Sequence, residues 1–100
     1  MATHTITVNV GSSTIEVVPE TLTMSAVDVV QWAGTNARAF SIEFDGASPF
    51  ESAQLPYATA RSAQRPKTKG RFKYTVVSGE DPKLRLDPVI IVGNPPTGTP

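Results

Sequence analysis

The side chains that do chemistry in proteins are sparse in this chain. Its one imidazole, His4, stands four residues from the N-terminus with no thiol or carboxylate beside it, and cysteine is absent. Without cysteine there are no disulfides, no thiolate metal ligands and no cysteine nucleophile. A lone imidazole in that position reads as a solvated side chain. Glu80, Asp81 and Asp87 could offer oxygens to a hard cation. Lys83 and Arg85 are threaded among them, so the loop reads as solvated and self-paired. Asp28, Glu43 and Asp45 fall on outward parity in separate segments, which does not make the desolvated pair that general acid–base work needs. Ser12, Ser13 and Ser78 have neither a base nor a nucleophile-elbow context, and no glycine-rich phosphate loop is present. The residues predict no enzyme and no cofactor.

Charge carries more information. Nine acidic and nine basic residues cancel, so the whole molecule has no field that marks a nucleic-acid or membrane binder. Their order is uneven. Through Glu51 the acids outnumber a single base, Arg38; from Ser52 to Gly79 there are only bases, namely Arg61, Arg65, Lys67, Lys69, Arg71 and Lys73. With Tyr57 nearby, this block is the candidate partner-binding surface. The competing reading is plain: the bases pair with the acidic half, or solubilise a loop and an edge strand. Phosphate affinity is largely a count of bases, so a neutral chain with one aromatic beside the block favours a protein partner or self-association over nucleic acid.

The elements that would position these residues are short strands. Thr5–Val10 alternates with Ile6, Val8 and Val10 on one face, Gly11-Ser12-Ser13 turns, and Ile15–Val18 returns. Pro19 then breaks the pairing or marks an edge. Val27–Ala33 places Val30 and Trp32 on one face. Ala39–Asp45 points Phe40, Ile42 and Phe44 inward, and Gly70–Val77 does the same with Phe72, Tyr74 and Val76. Val89–Val92 is continuously apolar, as for a strand covered on both faces. Ser48-Pro49-Phe50-Glu51 has a cap residue, a proline at the first helical position and a glutamate three after the cap, which predicts one or two helical turns ending at Pro56. The stretch from there to Lys69 is a long surface excursion, and such excursions are more often functional than accidental. One domain over residues 1–93 and a disordered tail over 94–100 complete the organisation. The N-terminus has no basic, apolar signal segment and no run approaches the ~20 residues of a membrane span, so the expected location is cytoplasmic.

The arrangement is that of an all-β Greek-key sandwich of about seven strands with one short helix. "VVQWAGTNARAFSIEF" resembles the cupredoxin segment in which a strand ending near Trp is followed by Asn, a short loop and His-x-Val-x-Phe. "GRFKYTV" resembles the Gly-x-Phe-x-Tyr-x-Cys strand of that family, and "DPVIIVG" its closing Gly-x-Val-x-Val strand. The resemblance spans roughly residues 4–93. It implies a cupredoxin-like fold and places the copper-holding His at Phe40 and the Cys at Val76. A second His would fall near Gly79, and the Met near Leu84 or Leu86. None of these is a copper ligand. Phe40 and Val76 are both apolar and on inward parity, which predicts a filled pocket in which they pack on each other. The implied protein is a metal-free, copper-free, non-catalytic accessory or protein-binding module. The alternatives are an assembly subunit whose basic patch meets the acidic face of another copy, and a weak nucleic-acid or acidic-partner binder using 61–73.

Overall fold

A computed structural model describes residues 2–36 and 38–93, so the expected tail over 94–100 lies outside the described residues. The described chain forms nine strands and one short helix: β1 (Thr3–Val10), β2 (Ile15–Val18), β3 (Thr21–Ser25), β4 (Val29–Gly34), β5 (Phe40–Phe44), β6 (Gln54–Leu55), α1 (Tyr57–Ala60), β7 (Gly70–Ser78), β8 (Arg85–Leu86) and β9 (Val89–Gly93).

Period-two alternation decides which face each strand buries. Two sheets result. The smaller has the order β2-β1-β4, with β1 and β2 antiparallel and β1 and β4 parallel. The larger runs β3-β9-β7-β5-β6, with β8 paired to the far end of β7. In it β3 and β9 are parallel and the other pairs antiparallel. Ile6, Val8, Val10, Val30 and Trp32 from the small sheet meet Phe40, Ile42, Phe44, Tyr74, Val76 and Ile90 from the large one in a single core. Burying side chains of this size stabilises the sandwich by about 1.5–3 kcal/mol each.

Two sequence expectations change. The helix does not lie over Ser48–Glu51. There the Ser48 hydroxyl accepts a hydrogen bond from Phe50 N (3.1 Å) and donates to Ser52 O (2.9 Å), forming a side-chain turn that competes with helix. Pro49 and Phe50 are buried, and Phe50 sits edge-on to Trp32 and Phe44. The helix begins after Pro56 instead, because proline's fixed φ and missing N–H suit a helix start better than a helix stop. The second change is β3, a strand where none was expected. After Val18 the chain passes through a cis Val18–Pro19 bond and crosses from the small sheet to the large one. There Leu22 and Met24 face the core while Thr21 and Thr23 stay exposed.

Candidate functional site

The residues carried over from the copper family lie at one end of the sandwich. Phe40 begins β5 and Val76 lies in β7, both almost fully buried. In the antiparallel register Val76 stands opposite Ile42, and Phe40 opposite Ser78, so Phe40 and Val76 are diagonal neighbours on one face. The ring that meets Phe40 is Tyr57 of α1, edge-on at 5.1 Å between centroids. Leu84 and Leu86 pack against the same core. Gly79 N donates to Ala39 O (2.9 Å). A Cβ at Gly79 would fall 3.2 Å from both the Cβ and the O of Ala39, so the two loops touch where a side chain would force them apart. Phe, Val, Gly and Leu supply no donor atom for copper, which takes imidazole and soft sulfur in such sites. These residues do not fit the metal.

The opposite end holds a polar cluster that the sequence did not reveal. The parallel register of β1 and β4 sets His4 beside Val30 and Thr3 beside Val29, which brings the start of β1 onto Asp28. His4 Nε2 lies 2.9 Å from Asp28 Oδ2; the carboxylate is the acceptor, so Nε2 is assigned the hydrogen. Asp28 also accepts from Ala2 N (2.8 Å) and Ser25 N (3.0 Å). The imidazole bond first, then the Ser25 and Ala2 amides, hold the Asp28 carboxyl down from 3.8 to about 2, since each favours the charged form. His4 is therefore not merely solvated, and Asp28 is buried rather than outward. The local signal was Ser25-x-x-Asp28, a turn-closing spacing; the partner from β1 is 24 residues away and leaves no local trace. Both carboxylate oxygens of Asp28 are engaged, Oδ1 by Ala2 N and Oδ2 by Ser25 N and the imidazole.

A third polar contact is inside the core. Trp32 Nε1 donates to the Tyr74 hydroxyl (3.3 Å), with the rings edge-on at 5.6 Å. Burial raises the Tyr74 phenol above its ordinary value, against a smaller opposing effect of the Trp32 bond.

The candidate basic residues divide between two places. Arg71 and Lys73 alternate with buried Phe72 and Tyr74 and project from the outer face of the large sheet. Tyr57 and Arg61 belong to the helical turn that packs on β4, β5 and β6, and the Arg61 guanidinium lies 4.9 Å from the Tyr57 ring centroid. Lys67 pairs with Glu51 at 2.6 Å. Arg65 and Lys69 lie on the exposed chain between them and are also engaged in interactions. In the acidic loop the partners differ from those expected: Glu80 pairs loosely with Arg38 (3.7 Å) and Asp87 accepts from Thr75 Oγ1 (2.8 Å). Among the described residues no three His, Cys, Asp or Glu side chains converge on a metal position. Among the described residues no helix is long and apolar enough to cross a membrane.

The fold and this site geometry define a cupredoxin-like β-sandwich. Solved structures of amicyanin agree. A reduced copper(I) form of an amicyanin variant at pH 4 superposes with a TM-score of 0.53 at 20% identity, covering 88% of this chain and 81% of that one. A second reduced variant gives a TM-score of 0.54 at 18% identity, and an oxidised one 0.53 at 22%, each with the same coverage. At such identity the likeness is one of fold. No family model and no curated protein matches the chain.

Proposed function

We propose that this chain is a non-catalytic, metal-free binding module of cytoplasmic location, built on a cupredoxin-like sandwich. The observation that carries the reading is the conversion of the family's copper position into core. Phe40 and Val76 are buried there, and Tyr57 from the excursion closes over Phe40. A fold that hosts many functions expresses each through its site residues, and here those residues contribute packing. The proposed working region has two parts, the excursion from Ala47 to Lys69, where Tyr57 and Arg61 offer an aromatic ring and a cation, and the outer face of β7, where Arg71 and Lys73 offer two more cations; each suits an acidic protein surface. The ties of Arg61 to Tyr57 and of Lys67 to Glu51 favour a shaped protein contact over a field of free cations for phosphate.

Two measurements test the reading. Titration with copper(I) and copper(II) should give no stoichiometric binding and no visible absorption band; a one-to-one complex would remove the metal-free assignment. The immobilised chain should retain a protein partner from cell extract that is lost when Tyr57, Arg61, Arg71 and Lys73 are all replaced by Ala. Equal retention by both would place the contact elsewhere. Retention of an oligonucleotide that collapses with added salt would assign the surface to nucleic acid instead.

A further inference from the structure

Among the described residues, the sandwich guards all its strand edges but one. On the large sheet β6 is two residues long and runs into Pro56 and α1. On the small sheet β4 is bridged at Val30 by Gln64, which exchanges both backbone hydrogen bonds with it (2.9 and 2.7 Å). The other edge there, β2, carries Glu16 at its centre, leans on β8 and ends at Pro19. Short edges, charges, prolines and covering segments are the devices that stop strands pairing with other chains.

β3 has none of them. Residues 21–27, TLTMSAV, contain no charge and no proline. Val89 N donates to Glu20 O (2.8 Å) and Ala26 N to Gly93 O (2.9 Å), which fixes the even-numbered residues of β3 as the ones bonded to β9. The N–H and C=O of Thr21 and Thr23 therefore point away from the sheet, and both residues are exposed. The edge stops at Ser25, whose N–H and C=O are engaged by Asp28. What is left is a short strip of alternating donors and acceptors.

That strip is self-complementary. With a two-fold axis at Leu22, antiparallel pairing sets Thr21 of one copy against Thr23 of the other, and the outward groups of both residues bond across the axis. Glu20 then falls beside Met24 of the second copy rather than beside its own equivalent, so no like charges meet. Among the described residues the two large hydrophobic side chains that stand exposed, Val18 (64%) and Val27 (40%), lie at opposite ends of β3. An antiparallel partner brings the Val18 end of one copy to the Val27 end of the other. We propose that the β3 edge is a homodimer interface in which Thr21–Ser25 of two copies pair antiparallel across a two-fold axis, joining the large sheets into one. This contact is independent of the basic surface, and it is isologous, so it closes at two copies.

The test is mass by light scattering after size exclusion across protein concentrations up to millimolar, with amide exchange at Thr21 and Thr23. The expected mass rises with concentration from 10.6 kDa towards twice that value, and the two amides slow in step. Thr23→Lys should hold the mass at that of one chain, because it places a lysine from each copy diagonally across the axis and charges the edge strand. Thr23→Pro should do the same, because it removes an N–H that no intramolecular bond uses; either variant alone suffices if the other fails to fold. High salt should leave the wild-type dimer intact. A chain that stays single at millimolar concentration with unchanged Thr21 and Thr23 exchange overturns the proposal. So does a dimer that survives both substitutions, or one that salt dissociates, which would belong to the oppositely charged halves.

Discussion

At one end of the sandwich Asp28 binds His4, Ala2 and Ser25; at the other Phe40, Val76 and Tyr57 form an apolar plug. The two ends are joined by β1, whose eight residues span roughly 25 Å at the usual strand rise. They solve the same problem, sealing the open mouth between two sheets, by different means. The polar end uses one carboxylate to satisfy backbone amides that would otherwise lack partners. The apolar end fills the interior with hydrocarbon and hydrogen-bonds at its rim, Gly79 N donating to Ala39 O and Glu80 N and Asp81 N donating to the Ser78 hydroxyl. The first end engages its carboxylate in three hydrogen bonds, and the second is lined chiefly by apolar side chains.

That contrast can be broken most forcefully at the apolar end. Phe40→Ala should lower stability by about 3–5 kcal/mol in urea unfolding, the usual cost of a large cavity in a close-packed core. A loss below about 1 kcal/mol, well under the usual cost of such a cavity, would mean that the plug is loosely packed. Between the two ends, Tyr74→Phe should cost about 1–3 kcal/mol, since it strands the buried Trp32 N–H without its acceptor. The same geometry predicts alkaline behaviour. The folded Tyr74 phenol titrates above the unfolded one, so its contribution is whole below pH 10 and fades as pH rises beyond it. Absorbance of Tyr74 phenolate, isolated in a Tyr57→Phe background, should therefore appear only together with unfolding.

At the polar end the effect is a change of slope. Asp28 is depressed from 3.8 to about 2 in the folded chain, so its stabilisation is present above pH 3.8 and lost as pH falls towards 2. Asp28→Asn should flatten the stability profile across that window and lower the plateau above it. Unfolding midpoints measured from pH 2 to 7 in both proteins would show it; parallel curves would mean that the carboxylate charge contributes nothing.

Much of this was legible in the residues. Strict alternation in Phe40–Phe44 and in Phe72–Val76 identified the core faces of β5 and β7, because a sheet with one buried face imposes period two. The apolar run at Val89 marked a strand flanked by others. The local rules failed where two of them competed: Ser48-Pro49-Phe50-Glu51 meets the conditions for a helix start, but burial of Phe50 and the Ser48 hydroxyl turn it otherwise. β3 is hidden behind Pro19, which in sequence marks a break or an edge and in the fold marks a change of sheet. Nothing local in the sequence links His4 to Asp28, since parallel pairing of β1 with β4 joins residues with no local signature. The partners of the basic residues emerge only in three dimensions, because Lys67 meets Glu51 sixteen residues away and Arg38 meets Glu80 across the fold.

The smallest effect is expected at the shortest ion pair. Lys67 and Glu51 approach to 2.6 Å, yet their side chains are 60% and 81% exposed. Lys67 holds the Glu51 carboxyl below its ordinary value, but water and salt screen such a pair, and ordering two long side chains offsets much of the attraction. The segment does not depend on it, because Lys67 N also donates to Pro49 O (2.6 Å), a bond that a side-chain substitution leaves in place. Lys67→Ala should thus leave the urea midpoint unchanged at neutral pH, in low and in high salt alike. A clear loss at low salt that disappears at high salt would show the excursion to be held by charge. It would then resemble the Asp28 end more than its exposure allows, and the working surface would be organised by its ion pairs rather than by its backbone.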